Sequence, residues 1–221
     1  MNRAILRVVA VAAPWLAAAA GCGGMKAPAS SPSTPAASST AAQGRPAKAP
    51  TNPPGVNKAD VDFMSGMIPH HAQAVIMGGW AASHGAREDV RVLCERIVVG
   101  QSDEIVLMQT WLRDNGQEVP DAKSTRHKMV MNGMQHEMLM PGMLSDDEMA
   151  ELDRARGPEF DRLFLTGMIR HHQGAIDMVD VLFKAYGAAQ DETVFKFAND
   201  VFANQSTEID RMNKMLEASK K

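Results

Sequence analysis

Aromatic residues are scarce in this chain: they make up 5% of its 221 residues, with a single Tyr. Strands draw on aromatic and β-branched side chains, so this scarcity argues against an all-β domain. No tract of Lys or Arg stands out, and the formal net charge is −3. Phosphate backbones are bound by clustered cations, which excludes nucleic acid as a partner. The one long apolar run, residues 8–20, is too short for an ordinary membrane span. No Ser/His/Asp triad, P-loop or dinucleotide fingerprint is present. What remains is a chain 45% hydrophobic whose core must be built from Met, Ala, Leu and Val. That balance favours helices.

Cysteine is also sparse, with Cys22 and Cys94 alone. Arg3 and Arg7 precede the apolar run, and small residues lead into Gly21-Cys22. Residues 1–21 read as a secretory signal, so the protein is expected to be exported. Ala19-Ala20-Gly21-Cys22 resembles a bacterial lipobox, with Ala19 where Leu is commoner. Cys22 is the expected lipidation site, anchoring the protein to the periplasmic or extracellular face of a bacterial membrane. Cys94 then has no intramolecular partner. It lies among Val90, Leu93 and Ile97 and reads as a small buried hydrophobe. Residues 22–57 form a linker: seven of the twelve Pro fall between residues 25 and 57, with no aromatic residue. Such a segment cannot bury enough apolar surface to fold.

The domain is expected over residues 58–218. Asn57 with Asp60 marks a first helix running to about Ser83. A second spans residues 86–114 and stops before Asn115-Gly116. Residues 115–144 form a long Met-rich connection. Ser145-Asp146-Asp147-Glu148 has the pattern of a capping box and opens a short helix. Gly157-Pro158 starts a third long helix ending at Tyr186, and the fourth runs from about Asp191 to Ala218. The halves repeat. Met67-Ile68-Pro69-His70-His71 matches Met168-Ile169-Arg170-His171-His172, with Asp60, Phe63, Gly66, Ala74 and Met77 matching Asp161, Phe164, Gly167, Ala175 and Met178. Gln101-Ser102-Asp103-Glu104-Ile105 aligns with Gln205-Ser206-Thr207-Glu208-Ile209. Two duplicated helical hairpins that bury their apolar stripes against each other make an all-α, four-helix bundle.

At about 100° per residue, Met67, Asp60, Phe63, His71 and Ala74 share one face, with His70 and Met77 at its edge. The second copy repeats this arrangement. If the two faces meet, four imidazoles and several thioethers converge. Thioether is a soft ligand and imidazole a borderline one, a set suited to Cu(I) and by the same softness to Ag(I); zinc and iron fit it less well. The alternative is that the Met fill the core and the His satisfy buried hydrogen bonds. A di-iron site needs Glu-x-x-His pairs, whereas Met67 and Met168 stand three residues before His70 and His171. Glu104 and Glu208 remain as inward carboxylates. Between residues 129 and 149, Met129, Met131, Met134, Met138, Met140, Met143 and Met149 are seven of the seventeen Met. With His127 and His136 interleaved, His127, Met131, Met134, His136 and Met138 form a secondary candidate metal site. The alternative there is a flexible flap using Met as adaptable filler.

The segments Met67-Ile68-Pro69-His70-His71-Ala72-Gln73-Ala74 and Met168-Ile169-Arg170-His171-His172-Gln173-Gly174-Ala175-Ile176-Asp177-Met178 resemble the bacterial family called domain of unknown function 305, or CopM-like. Phe160-Asp161 and the Gln-x-x-Glu-Ile pattern fit as well. The resemblance covers about residues 58–217. It implies a ferritin-like four-helix bundle in an exported protein and, for copper-resistance members, binding of copper and silver through Met and His. The implied ligands are Met67, His70, His71, Met77, Met168, His171, His172 and Met178. The resulting expectation is an envelope Cu(I) chaperone or buffer, not an enzyme, with a copper-handling protein as partner. A metal-dependent oxidoreductase, or a metal-free envelope lipoprotein that binds a protein partner, is the alternative. The leader generates a direct test. Cys22→Ser should move the protein from the membrane fraction to the soluble one, and a wild-type protein that is already soluble rejects the anchor.

Overall fold

Local signals at the helix starts explain where the chain turns helical. Asn57 accepts a hydrogen bond from the Ala59 amide at 2.8 Å and caps α1, Lys58–Gly79. The computed structural model describes residues 55–131 and 133–219, all within the compact unit Lys48–Lys221. The leader, Cys22 and nearly all of the linker lie outside the described residues. Helix α2 spans Glu88–Asp114. Ser145 and Glu148 close a reciprocal capping box on α3, Asp146–Arg154. Pro158 occupies the first turn of α4, Pro158–Lys184. Asp191 caps α5, Glu192–Ala218, by accepting from Thr193 and Val194. Helix α1 stops at Gly79 rather than near Ser83, because two adjacent glycines weaken its last turn. The fold is all-α apart from one two-stranded ribbon, and no helix among the described residues is long and apolar enough to cross a membrane.

Within the long connection over residues 115–144 the structure adds a ribbon that the sequence reading did not include. Strands β1, His127–Met131, and β2, Met134–Met138, pair antiparallel, with Met131 opposite Met134. Gly133, just before β2, has φ +77°. Asn-Gly is the strongest short hairpin signal because such turns need positive φ.

Helix α1 packs on α2 and α4 on α5, and the two pairs meet chiefly through α1 and α4. All four long helices contribute to both of two hydrophobic clusters. One contains Phe63, Met64, Met67, Met108, Met178 and Val194. The other contains Phe164, Leu165, Met168, Met212, Met77 and Val90. Each named residue in one cluster has its sequence match in the other, so the match exchanges the two ends of the core. The clusters also show that α1 and α5 run one way while α2 and α4 run the other. Two buried aspartates clasp the halves. Asp60 on α1 accepts from the Ala189 amide at 2.7 Å, just before α5, and steadies Ala189 at φ +53°. Asp161 on α4 accepts from the Arg87 amide at 3.3 Å, just before α2.

Residues 140–144 form a strap across α1 and α4. Gln73 binds Leu144 twice, accepting from its amide at 2.7 Å and donating to its carbonyl at 2.9 Å. Gly142, at φ +78°, lies on Gly174, which leaves no room for a side chain: a Cβ there would stand 2.0 Å from the Pro141 carbonyl oxygen. Gly79 borders open space. Gly174→Ala should therefore destabilise the protein by about 1–3 kcal/mol through overpacking, whereas Gly79→Ala should be neutral or stabilising by up to about 1 kcal/mol. Urea denaturation of the two variants checks this, and equal stabilities would mean that the strap is not tightly seated.

Candidate metal centre

Where one hydrophobic cluster gives way to the other, the interior turns polar. His70 and His71 from α1 and His171 and His172 from α4 are all fully buried there. Gln101 on α2 and Gln205 on α5 join them, 5% and 3% exposed. The His70 and His171 ring centroids lie 3.8 Å apart, with the rings tilted by 37°. His71 and His172 flank them, each 6.2 Å from its helix neighbour. The α1 and α4 faces do meet as their periodicity requires.

Hydrogen bonds set the ring orientations. His71 Nε2 donates to Glu104 Oε2 at 2.7 Å, and His172 Nε2 donates to Glu208 Oε2 at the same distance. His70 Nε2 donates to the Pro141 carbonyl of the strap at 3.1 Å. Carbonyl and carboxylate oxygens accept, so these three Nε2 atoms each carry a proton. Nδ1 of His70, His71 and His172 has no hydrogen-bond partner, nor has either ring nitrogen of His171. The side-chain oxygens of Gln101 and Gln205 are likewise unpartnered. Among the described residues, every buried side-chain N or O atom without a partner belongs to this layer. Such atoms cost about 1–3 kcal/mol each, so their concentration in one place calls for a ligand.

Burial pushes the His70 pKa well down, with His71 and His172 adding to the effect. Burial also lowers His171, followed by His70, His172 and His71. Both rings are therefore neutral near pH 7, with lone pairs free. The sequence-predicted methionines bracket the layer. Met67 and Met178 lie in one cluster, Met77 and Met168 in the other. The Met178 methyl reaches across to Gly66 on α1, and the Met77 methyl reaches Gly167 on α4. Among the described residues, no group of three His, Cys, Asp or Glu side chains is set to hold a metal ion. The donors packed above and below the imidazoles are thioethers.

The matched positions diverge around this layer. Pro69 lies inside α1, whereas its counterpart Arg170 makes a two-point ion pair with Glu148 of α3 at 2.7 Å. Hydrogen bonds from Arg170 and the Ser145 amide hold the Glu148 carboxyl at about 2. The secondary candidates stay apart from the imidazoles, on the ribbon. Glu104 and Glu208 were legible only as leftover inward carboxylates. Their matched places in the Gln-x-x-Glu-Ile segments were the signal for pairing them with His71 and His172. The Pro141 carbonyl left no signal in the sequence.

The family described as domain of unknown function (DUF305) matches residues 60–216. Among solved structures, the chain is similar to a DUF305 protein from Streptomyces coelicolor with a secreted-protein designation. They share 27% identity at a TM-score of 0.61, over 73% of this chain and 93% of that one. It is similar to a DUF305 fragment from Deinococcus radiodurans, also at 27% identity and a TM-score of 0.61, over 75% of this chain and 99% of that one. It is similar too to CopM in its Cu(I)-bound form, at 26% identity and a TM-score of 0.55, over 72% and 96%. CopM has also been solved with Cu(II), with Ag and as the apo protein. No protein of curated function matches the chain.

The depressed histidines make stability depend on pH. Below about 6.5 the unfolded chain takes up protons that folded His70 and His171 refuse. Their stabilisation is complete above that pH and is lost as pH falls toward their folded values, at about 1.4 kcal/mol per pH unit for each ring. Burial raises the Asp60 and Asp161 carboxyls, an effect of opposite sign that acts nearer the carboxylate range. Urea denaturation at pH 7.5 and 5.5 should show a loss of about 2–3 kcal/mol on acidification. A flat profile would mean that the rings are solvated or protonated within the fold.

Proposed function

Because this chain belongs to the DUF305 family, with copper- and silver-bound CopM among its structural neighbours, we propose that its imidazole layer binds Cu(I). The protein then acts outside the cytoplasm as a copper chaperone or buffer. The observation that carries this reading is the set of unpartnered Nδ1 atoms at a fully buried layer bracketed by methionines. His70, His71, His171 and His172 supply nitrogen donors. Met67, Met77, Met168 and Met178 supply thioether donors that need no deprotonation and do not form disulfides outside the cytosol. Such a set favours a soft monovalent ion, Ag(I) included, over Zn(II). Glu104 and Glu208 play the part of the carboxylate that orients a metal-binding imidazole through its other nitrogen.

Complete burial of the four rings favours holding an ion over turning over a substrate, since an enzyme needs an open coordination position. The leader and the secreted designation of the Streptomyces coelicolor neighbour support export. Anchoring through Cys22 and a copper-handling protein partner complete the proposal. In competition with a chromogenic Cu(I) chelator, the wild type should bind Cu(I) more tightly than Zn(II). Replacing His70, His71, His171 and His172 together by Ala should abolish the tightest Cu(I) site. Unchanged affinity in that variant, with its helical dichroism intact, would return the histidines to a packing role.

A further inference from the structure

The register of the ribbon sorts its residues by chemistry. His127 stands opposite Met138 and Met129 opposite His136, with Met134 next along β2 on the same face. Alternation along a strand sends Lys128 and Glu137 to the other face, where they form an ion pair at 3.7 Å. One face therefore carries imidazole and thioether side by side on two rungs, His127/Met138 and Met129/His136, while Lys128 and Glu137 lie on the opposite face. We propose that His127, Met129, Met134, His136 and Met138 form a second, surface site for a soft monovalent cation, Cu(I) or Ag(I).

Packing does not account for the three methionines or His136, while His127 is partly buried. Met129, Met134 and Met138 are 36%, 62% and 44% exposed, and every residue of β2 is exposed. Methionine used as filler belongs in a core, not on an open ribbon. Directly opposite residues have Cβ atoms about 4.5–5.5 Å apart, and successive rungs on one face are about 7 Å apart. Unbranched thioethers span both distances. Each of these two rungs thus offers one nitrogen and one sulfur donor, the pairing that soft ions prefer, and Met134 adds a further thioether. An isolated two-stranded ribbon is only marginally stable. Ordering it around an ion opposes binding, so this site is weaker than the buried layer and exchanges faster. Its position suits capture: Met138 is two residues from the strap whose Pro141 carbonyl holds His70.

The inference rests on the same soft-donor chemistry as the core reading, and the test separates the two. The full-length protein, labelled with ¹³C at its Met methyls, is titrated with Ag(I) alone. Methyls of Met129, Met134 and Met138 should shift in fast exchange, and those of Met67, Met77, Met168 and Met178 in slow exchange. The Met129→Leu/Met134→Leu/Met138→Leu variant should lose one bound ion and keep the tight site. If only core methyls shift and the variant keeps its stoichiometry, the ribbon site is wrong and the core reading stands. If only ribbon methyls shift, the ribbon site stands and the core reading falls. The Lys128→Ala/Glu137→Ala variant, altered on the charged face, should keep full stoichiometry. An equal loss there overturns the ribbon site, because ribbon structure rather than donors would explain both losses.

Discussion

A neutral imidazole has to place two different ring nitrogens, and in this interior the protein provides for at most one of them. Glu104, Glu208 and the Pro141 carbonyl take the Nε2 protons of His71, His172 and His70, while His171 receives no partner at all. The rest of the core is arranged around that shortfall. The layer lies where the two hydrophobic clusters meet, shielded from water on both sides along the helix axes. Low dielectric keeps His70 and His171 neutral and makes each unpartnered polar atom expensive. The same physics makes the layer a poor resting place for polar atoms and a good receptor for an ion that takes nitrogen and sulfur donors.

The two halves are matched where they build this layer and diverge where they cover it. The His–Glu pairs have the same length in both halves, and the two aspartate clasps run in opposite directions between them. Covering a two-fold site with one chain segment breaks the equivalence. Gln73 grips the strap through both its amide atoms, while Gly174 at the matched position is stripped to backbone so that Pro141 can lie against it. Arg170, matched to Pro69, holds α3 through Glu148. Substitutions that look arbitrary along the repeat thus follow from which half lies beneath the strap.

The strap also places the chemistry of the ribbon and the chemistry of the core in sequence along one segment. Residues 127–138 expose soft donors to water, and residues 140–144 seal the imidazoles. On the proposed reading, the exposed donors of the ribbon and the buried, oriented rings differ in preorganisation and therefore in affinity.

Much of this was written in the order of residues. Helical periodicity set His70, His71, His171 and His172 on two apolar faces, and the repeat required those faces to be used alike, because an apolar stripe has nowhere else to go. Capping residues at Asn57, Ser145, Pro158 and Asp191 marked where helices begin, since those signals act within a few residues. The hairpin signal was equally local, carried by the Asn132-Gly133 dipeptide in the sequence. Which nitrogen of each imidazole is free was not legible. That depends on Glu104 and Glu208 arriving from other helices and on a backbone carbonyl of the strap, and a carbonyl is identical at every position of the sequence. The same holds for the facing of His and Met across the ribbon, which strand register alone decides, because a slip of one residue would have turned half of those donors to the charged side.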